Sequence, residues 1–448
     1  MTWLTLAQVA QMTGGVLHGQ DVAVIRVERD SRAVQAGDLF IALHGERFDA
    51  HDFLPQVAGK ACGALVSRYV DAAIPQVVVD DVRLALGRLA AAWRQQYQQP
   101  VVGLTGSNGK TTLKEMLTAI LSLQGQTLAS LGNLNNDIGM PLTLLRLRAG
   151  DQYAVIEMGA NHFGEIDYLT RIACPDVAVL NNAGAAHLEG FGDIAGVARA
   201  KGEIFNGLGA AGVAVINADD TYADYWQSLN PQRKVLRFGM DNAADVQGFT
   251  DADNQFYLQA QGQTLVVNLQ LLGRHNQMNA LTAAAAALAL NVPLATIVQG
   301  LGCLQPVKGR LCPKQGAHGG LVIDDTYNAN PTSTAAAVAV LAGLKGKKML
   351  ILGDMGELGE TGEQLHAAIG QQAAALGVDE MYTLGSLSAA ASAAFGAKGY
   401  AFNDLESLLA AVQPVLHAGT HVLVKGSRSA RMERVVDALT AVAVQEAA

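Results

Sequence analysis

Short apolar runs separated by polar and glycine-rich turns divide the chain into segments with different patterns. Up to about residue 81, the runs 39–43, 64–66 and 77–79 alternate with turns that contain Gly and Asp, which is typical of a small mixed α/β unit. From about 82 to 306, strand-length apolar runs alternate with longer helical patterns. The clearest predicted strands are 101–104, 154–156, 177–180 and 213–216. Such alternation predicts parallel βαβ units.

The alternation begins again after Pro306, with predicted strands at 321–323, 348–352, 381–384 and 421–424. Ala-rich helical patterns lie between them, so we expect a second doubly wound unit. A linker is placed at 305–309, because Pro306 and Gly309 stand between the two patterns. The predicted fold is therefore α/β in three domains: a small mixed domain (1–81), a central domain with a parallel sheet (82–306) and a doubly wound C-terminal domain (307–448).

Composition and charge limit the classes of function. The chain has 448 residues, of which 50% are hydrophobic and 16% charged, which suits about three globular domains and excludes a disordered or fibrous protein. The 31 Lys and Arg residues against 40 Asp and Glu give a net charge of −9, the wrong sign for coating nucleic acid or anionic lipid. We therefore expect neither nucleic acid nor a membrane as a partner.

Targeting and cysteine patterns indicate the compartment. The first 15 residues lack a basic leader, and the most apolar stretch, 280–290, is far shorter than the roughly 20 residues that cross a bilayer. The four cysteines include no C-x-x-C pair, so neither a disulfide framework nor a thiolate zinc site is indicated. We expect a cytoplasmic protein.

A glycine-rich loop follows the predicted strand 101–104 and precedes a helical pattern that continues to residue 121. The loop and the start of the helix contain Thr105, Gly106, Ser107, Asn108, Gly109, Lys110, Thr111 and Thr112. The glycines let backbone N–H groups approach phosphate oxygens, Lys110 can reach the terminal phosphates, and the Thr111 hydroxyl is a suitable Mg²⁺ ligand. A ligand-free glycine turn is the alternative, but the strand–loop–helix context favours a mononucleotide site.

Further candidate metal ligands come after the next strands. Glu157 ends the strand that begins at residue 154, at the edge where open α/β sheets bind ligands, and beside a phosphate loop a Mg²⁺-binding role is favoured. His187 follows the strand 177–180, and a neutral imidazole can ligate a metal. By pattern alone, however, His187 is more typical of a polar surface residue and Lys201 of a solvated helix face.

These motifs resemble, over essentially the whole chain, those of the Mur ligase family, the ATP-dependent enzymes that build the peptide of the bacterial cell-wall precursor. The resemblance implies that Thr111 and Glu157 hold one Mg²⁺ ion. It also implies that His187 and Lys201 hold a second, since Lys201 in Ala-Lys-Gly-Glu-Ile matches a lysine that several members carbamylate. The implied catalytic residues are Lys110, Glu157, His187 and Lys201. The implied ATP contacts beyond the loop are Asn276, Asn279, Arg310 and Asp325, in segments that resemble the family's adenine side and hinge.

The resemblance also implies a set of substrate-binding residues. The segments 30–32 and 40–52 are similar to the family's uridine-diphosphate pocket, and 131–141 to its central substrate loop. The segments 324–331, 352–359 with the following His366, and 425–428 resemble the branch that adds a D-Ala-D-Ala dipeptide, and the Asp-Asn-Pro-Arg element of a sister branch is absent. The implied substrate contacts are Ser31, Arg32, Phe40, Gly45, Phe48, His51, Asn133, Asn135, Asn136, Tyr327, Asn328 and Asn330.

The implied reaction joins D-Ala-D-Ala to UDP-N-acetylmuramoyl-tripeptide at the expense of ATP, through an acyl phosphate and with two Mg²⁺ ions. The resemblance further implies a Rossmann-like C-terminal domain and a monomer, and leaves open whether the third residue of the tripeptide is diaminopimelate or lysine. Three alternatives are also consistent with the phosphate loop: a nucleotide switch that moves a partner, a kinase, and a folate-polyglutamating ligase. The N-terminal and C-terminal units imply two further ligands and count against a switch and a kinase. The N-terminal unit also counts against a folate-polyglutamating ligase, which would not be expected to carry it.

Overall fold

The computed structural model describes residues 3–45, 48–317 and 319–440, and the N-terminal part of these forms two small sheets. Its elements are β1 (Leu4–Thr5), α1 (Leu6–Thr13), β2 (Val16–His18), β3 (Ala23–Val24), β4 (Arg26–Glu28), β5 (Asp38–Ile41), α2 (Leu54–Val57), β6 (Gly63–Val66) and β7 (Gln76–Val78). β1 pairs with β3, and the larger sheet has the order β2-β7-β6-β5-β4. The three predicted apolar runs coincide with β5, β6 and β7, so this mixed α/β prediction is confirmed.

A nine-stranded sheet forms the middle of the molecule. Its strands are β8 (Val101–Thr105), β9 (Thr127–Ala129), β10 (Tyr153–Glu157), β11 (Val177–Leu180), β12 (Val213–Asn217), β13 (Lys234–Gly239), β14 (Val246–Thr250), β15 (Phe256–Ala260) and β16 (Gln263–Val266). Its helices are α3 (Val82–Gln96), α4 (Lys110–Ser122), α5 (Gly139–Leu144), α6 (Glu165–Ala173), α7 (Leu188–Phe191), α8 (Ile194–Gly202), α9 (Ala223–Ser228), α10 (Arg274–Ala289) and α11 (Leu294–Gly302). The four strands predicted for this region are confirmed as β8, β10, β11 and β12.

The central sheet is parallel, as predicted, except at one edge. The sheet order is β16-β15-β14-β13-β12-β11-β8-β10-β9, and β15 and β16 run antiparallel to their neighbours. The physical reason is the tight turn between β15 and β16, where Gln261 and Gly262 both have positive φ angles, as a two-residue hairpin turn requires. A connection of two residues is too short for a parallel crossover, so these strands can pair only antiparallel.

A six-stranded sheet forms the C-terminal part, with β17 (Cys312–Gln315), β18 (Leu321–Asp325), β19 (Lys347–Gly353), β20 (Glu380–Leu384), β21 (Gly399–Phe402) and β22 (Thr420–Lys425). Its helices are α12 (Pro331–Ala342), α13 (Gly362–Ala375), α14 (Ala389–Phe395), α15 (Leu405–Val412) and α16 (Glu433–Thr440). The order is β17-β18-β22-β19-β20-β21, parallel except for β17. This doubly wound arrangement confirms the four predicted C-terminal strands.

The packing of α10 positions the phosphate loop. Residues 279–288 of this Ala-rich helix are all buried, and the small side chains let α10 lie close against α4, which begins at the loop. On the other side of α4, a Cβ atom at Gly300 of α11 would lie 2.6 Å from the Ile120 Cα atom. Two helices therefore fix α4 and, through it, the loop. Among the described residues, no helix has the length and apolar character needed to cross a membrane.

Candidate active site

The phosphate loop connects β8 to α4 and is held in place by its own backbone. Gly109, the residue before α4, has a φ of +79°, and a Cβ atom there would lie 2.4 Å from the Asn279 Oδ1 atom, so only glycine fits. The Lys110 Nζ atom donates to the carbonyls of Gly106 (2.8 Å) and Ser107 (3.3 Å). Burial lowers the pKa of Lys110, and the nearby Glu157 carboxylate opposes that shift.

Buried amide side chains support the loop from behind. The Asn181 Nδ2 group, just after β11, donates to the carbonyl of Asn108 (3.0 Å) and to Asn279 Oδ1 (2.8 Å). Asn182 Oδ1 accepts from the Asn108 backbone N–H (2.9 Å). The Asn279 Nδ2 group donates in turn to Asn276 Oδ1 (3.2 Å). Both predicted nucleotide contacts on α10 therefore also brace the loop, and the adjacent Asn181-Asn182 pair after a predicted strand was the sequence signal for this support.

Glu157 is the buried carboxylate at the centre of the site, with 1% of its surface exposed. Its Oε1 atom accepts from Asn135 Nδ2 (2.7 Å), and its Oε2 atom accepts from the Thr111 hydroxyl (3.3 Å). The Glu157 backbone N–H donates to Ser130 Oγ (3.0 Å), which anchors the end of β10. A carboxylate and a hydroxyl beside a phosphate loop are suitable Mg²⁺ ligands, since this ion takes one or two protein oxygens together with phosphate and water.

His187 and Lys201 do not contact each other. The His187 Nδ1 atom lies 2.6 Å from Glu357 Oε2, on the C-terminal part of the chain. Lys201 is 1% exposed, so a solvated helix face, which pattern alone favoured for it, is excluded. In the described ranges, no group of three or more His, Cys, Asp or Glu side chains is placed to hold a metal ion. An ion here would depend on ligands from the nucleotide or water.

Burial sets the chemistry of Lys201. Its Nζ atom donates only weakly to the Ala160 carbonyl (3.4 Å) and lies 5.5 Å from the centre of the Phe191 ring. Burial, with a smaller contribution from the charge of Lys110, lowers the pKa of Lys201 to about 7. A large part of the Lys201 population therefore carries a neutral, nucleophilic amine at neutral pH.

A cavity of about 1190 Å³ connects these groups to the C-terminal domain. The sequence-predicted residues that line it are Ser107, Asn108, Gly109, Lys110, Thr111, Thr112, Asn133, Asn135, Asn136, Glu157, His187, Asn276, Asn279, Arg310, Asp325, Tyr327, Asn328 and Asn330. Thr105, Gly106 and Lys201 do not line it, and neither do the six candidates from the N-terminal domain. The structure thus brings the nucleotide and C-terminal candidates together, but not the uridine-pocket candidates.

The C-terminal domain touches the phosphate loop directly. The Arg310 Nη2 group donates to the Thr111 hydroxyl (3.0 Å), and its guanidinium lies 4.1 Å from the centre of the Tyr327 ring. The Asn330 Nδ2 group, at the start of α12, donates to Asn108 Oδ1 (2.8 Å). These contacts close the two domains around the cavity.

Lys425 orders the segment after β18. Its Nζ atom donates to Asp325 Oδ2 (2.5 Å) and to the Asn328 carbonyl (2.9 Å). Asp325 Oδ1 accepts from the Leu311 backbone N–H (3.1 Å), so both carboxylate oxygens of this predicted nucleotide contact already have partners. Nearby, burial lowers the pKa of His275 to about 4, which keeps this cavity-lining imidazole neutral.

A second cavity, of about 700 Å³, adjoins the first on the C-terminal side. Its charged lining residues are His187, Glu357, Arg428, Arg431 and Glu433. The loop that carries Glu357 is held by the buried His366, whose Nε2 atom accepts from the Met355 N–H (2.9 Å) and whose Nδ1 atom donates to the Gly362 carbonyl (2.7 Å). Burial lowers the pKa of His366, in agreement with this neutral tautomer.

The side chains of two predicted substrate contacts in the N-terminal domain are buried. The Phe40 side chain is completely buried in the core between β5 and the helices of this domain, because strand β5 is covered on both faces. His51 is also buried: its Nδ1 atom lies 2.6 Å from Asp49 Oδ1, and its Nε2 atom accepts from the Ser67 N–H (2.9 Å). A substrate contact by either residue stays a prediction.

The other N-terminal candidates lie at the surface. The Arg32 guanidinium makes two hydrogen bonds to Asp30 (2.7 and 2.9 Å), which lower the pKa of that carboxyl to about 2. Ser31, which lies between Asp30 and Arg32 in the chain, is half-buried. The Gly45 backbone N–H donates to the carbonyl of Phe48, whose ring is exposed. Glu46 and Arg47, within the same predicted segment, lie outside the described residues.

Lys114 is a supporting residue that the sequence analysis missed. It is buried one turn after the phosphate loop, and its Nζ atom donates to the Ser130 carbonyl (2.7 Å), with Gly132 O at 3.4 Å. It thereby connects α4 to the segment that carries Asn133 and Asn135. Its i+4 spacing from Lys110 was the available signal, because it places both amines on one face of α4.

Comparison with known proteins identifies similar chains over nearly the full length. Residues 104–287 match the Mur ligase middle domain, and 309–428 match the family model described as Mur ligase, glutamate ligase domain. The UDP-N-acetylmuramoyl-tripeptide–D-alanyl-D-alanine ligase of Escherichia coli K12 is 48% identical, covering 98% of this chain and 99% of the relative.

Two solved structures are similar in fold as well. MurF from Acinetobacter baumannii superposes with a TM-score of 0.92 at 42% identity, covering 98% of this chain and 99% of its own. The MurF ligase from Thermotoga maritima, solved in complex with ADP, has a TM-score of 0.84 at 28% identity, covering 94% and 98%. Both similarities extend through the N-terminal, central and C-terminal parts of this chain.

Replacement of Lys201 by methionine tests the buried amine. A pKa of about 7 in the folded protein, against an ordinary 10.5, means that the unfolded chain binds more protons between these values. Wild-type stability therefore rises with pH over this range. We expect Lys201→Met to be more stable than wild type at pH 6, and the difference to shrink by about 1.4 kcal/mol per unit between pH 7 and 10.5.

Urea denaturation across this pH range, in CO₂-free buffer, measures the effect. The matched control is Lys60→Met, because Lys60 is exposed. A stability difference between Lys201→Met and wild type that does not change with pH would show that Lys201 is not a desolvated amine.

Proposed function

This chain belongs to the Mur ligase family, and from that membership we propose how its residues divide the work of an ATP-dependent amide ligase. The enzyme joins D-Ala-D-Ala to UDP-N-acetylmuramoyl-tripeptide in peptidoglycan precursor synthesis, giving the pentapeptide, ADP and phosphate. This is the activity named for relatives that match it from end to end. The structural observation that supports the proposal is the convergence of Lys110, Glu157 and Arg310 on one cavity shared by the central and C-terminal domains.

The reaction has two steps. An oxygen of the tripeptide's terminal carboxylate forms a bond to the γ-phosphorus of ATP, while the bond from that phosphorus to the bridging oxygen breaks and ADP leaves. The dipeptide amine then attacks the acyl carbon, the bond to the phosphate oxygen breaks, and the amine loses a proton. The product is an amide, with one phosphate released.

Positive charge in the site has to offset the triphosphate and the carboxylate before they can approach. Lys110 is placed by the loop carbonyls, and we assign it to the γ-phosphate. Arg310 crosses from the C-terminal domain to Thr111, so we assign it to the nucleotide side of the closed site. Closure of the C-terminal domain then excludes the water that would hydrolyse an acyl phosphate.

Mg²⁺, when bound, supplies further charge neutralisation of the phosphates. We propose Thr111 and Glu157 as ligands of one ion, because their oxygens already face each other beside the loop. His187 and a carbamylated Lys201 are the proposed ligands of a second. A neutral Lys201 amine can add to CO₂, which would turn this buried group into a carboxylate-like ligand.

The substrates enter from different sides. Asn133, Asn135 and Asn136 line the large cavity beside Glu157, and we assign them to the peptide end of the nucleotide substrate. Ser31, Arg32, Gly45 and Phe48 remain proposed contacts of its uridine-diphosphate end. We also propose the domain boundaries at 81/82 and 306/307, a monomer, and action in the cytoplasm, where ATP is available.

The second cavity has the charges that a dipeptide zwitterion requires. Glu357 lines it beside His187, which lines both cavities, and the Glu357 carboxylate suits the amino group of the dipeptide. Arg428 and Arg431 line the same cavity and suit the terminal carboxylate. We therefore propose that this cavity binds D-Ala-D-Ala.

Phosphate release tests the activity directly. With ATP and Mg²⁺, we expect release only when both UDP-N-acetylmuramoyl-tripeptide and D-Ala-D-Ala are present, with the pentapeptide product found by mass spectrometry. Single D-amino acids and a polyglutamate acceptor serve as controls. ATP turnover that ignores these substrates would contradict the proposal and direct attention to a protein partner.

Replacement of Lys201 by alanine tests the carbamate. We expect kcat to fall on the order of 100-fold, because a metal ligand is lost, and to recover in part with added short-chain carboxylic acids that can occupy the vacated space. Lys60→Ala is the matched control. Normal activity of Lys201→Ala without added acid would show that the carbamate has no role, while rescue by acid would exclude simple misfolding.

The double variant Arg428→Ala/Arg431→Ala tests the dipeptide site. We expect its KM for D-Ala-D-Ala to rise at least about tenfold, with the KM values for ATP and tripeptide little changed, because a charge-assisted carboxylate contact is lost. Arg434→Ala is the matched control, since Arg434 does not line this cavity. An unchanged dipeptide KM would remove these arginines from the site.

A further inference from the structure

The large cavity is also lined by charged residues that the proposed reaction does not use. Asp81 and Arg83, at the start of α3, line it together with Asp137, which lies within the central substrate loop (131–141). The Asp81 carboxylate accepts from the backbone N–H groups of Arg83 (2.7 Å) and Leu84 (2.9 Å). Asp81 is therefore occupied as a helix cap, and the guanidinium of Arg83 has a different partner.

Asp137 holds Arg83 by one edge of its guanidinium. The Arg83 Nη2 atom donates to Asp137 Oδ1 (2.9 Å), and the Nε atom pairs with Oδ2 of the same carboxylate. This side-on pairing uses two of the five guanidinium N–H donors and fixes the plane of the group. The opposite edge, with Nη1, stays available, and 57% of the Arg83 side chain is exposed. Arg83 is thus an oriented carboxylate receptor in the cavity wall.

The chain connects this pair to the centre of the site through Asn135. Asn135 bonds the Glu157 carboxylate at the centre of the site, and Asp137 is only two residues further along the chain. Two residues span at most about 7 Å. The tripeptide carboxylate that reacts belongs to its third residue, so the side chain of that residue starts beside Glu157, in the same cavity that Arg83 lines.

We propose that Arg83, positioned by Asp137, binds a carboxylate at the end of the side chain of the tripeptide's third residue, and so selects diaminopimelate over lysine. This inference rests on the proposed ligase function. Diaminopimelate carries a second carboxylate and ammonium at its distal end, whereas lysine carries an ammonium alone. A lysine ammonium would meet the cationic edge of Arg83, which is unfavourable, while the distal carboxylate pairs with it.

Steady-state kinetics with two tripeptide substrates test this specificity. For wild type, we expect kcat/KM for the diaminopimelate tripeptide to exceed that for the lysine tripeptide by about 10- to 100-fold, the effect of one charge-assisted contact. Arg83→Ala should remove this preference by raising the KM for the diaminopimelate tripeptide. Its kcat/KM for the lysine tripeptide should stay within about twofold of the wild-type value. Asp137→Asn should have a smaller effect in the same direction, because Arg83 loses its orientation but keeps its charge.

The matched control is Arg88→Ala, which lies on the same helix but does not line the cavity. A chemical probe avoids mutation altogether: a tripeptide whose distal diaminopimelate carboxylate is amidated should behave with wild type like the lysine substrate. The proposal would be overturned if Arg83→Ala lowered kcat/KM equally for both tripeptides, or if wild type were fully active with the amidated substrate. If wild type converts neither tripeptide, the ligase function itself fails, whereas equal use of both refutes only this inference.

Discussion

Repulsion between anions is the constraint on which this structure depends. The reaction must hold a triphosphate against a carboxylate, in a chain whose net charge is −9, so the positive charge has to be concentrated at one place. Lys110 comes from the central domain and Arg310 from the segment that leads into the C-terminal sheet, and the two meet beside Thr111 and Glu157. Because Arg310 contacts Thr111 across the boundary between the two domains, part of the positive charge beside the loop depends on the placement of the C-terminal domain.

The buried polar groups around the site keep this charge in place before the reactants arrive. Asn181 and Asn279 brace the phosphate loop from behind, and Lys114 ties α4 to the substrate segment at Ser130. Each of these buried amide side chains has hydrogen-bond partners, so the loop needs little rearrangement when it binds phosphate. Burial also explains the lowered pKa of Lys201, because the free-energy cost of burying an amine is small only while the amine is neutral. The rigid support of the phosphate loop and the lowered pKa of Lys201 both result from the exclusion of water from this region.

Sequence reasoning was most successful where structure is local. Strand-length apolar runs located β8, β10, β11 and β12, and the glycine spacing located the phosphate loop, because both depend on neighbouring residues only. The antiparallel pair β15 and β16 was missed because the turn at Gln261 was not weighed against the preceding βαβ pattern. The burial of Phe40 and His51 could not be predicted, because a motif gives the position of a residue but not the direction of its side chain. The roles of Lys114 and Arg83 depend on partners 16 and 54 residues away in the chain, which spacing does not show.

The central claim is that the tripeptide carboxylate is activated by transfer of the γ-phosphate of ATP, and an isotope experiment tests it most directly. The terminal carboxylate of UDP-N-acetylmuramoyl-tripeptide would be labelled with ¹⁸O and the enzyme supplied with ATP, Mg²⁺ and D-Ala-D-Ala. The account predicts one ¹⁸O atom in each released phosphate and one in the new amide, with ADP unlabelled. Phosphate without ¹⁸O, or label in a nucleotide product, would contradict an acyl phosphate and with it the arrangement of charges proposed for this site.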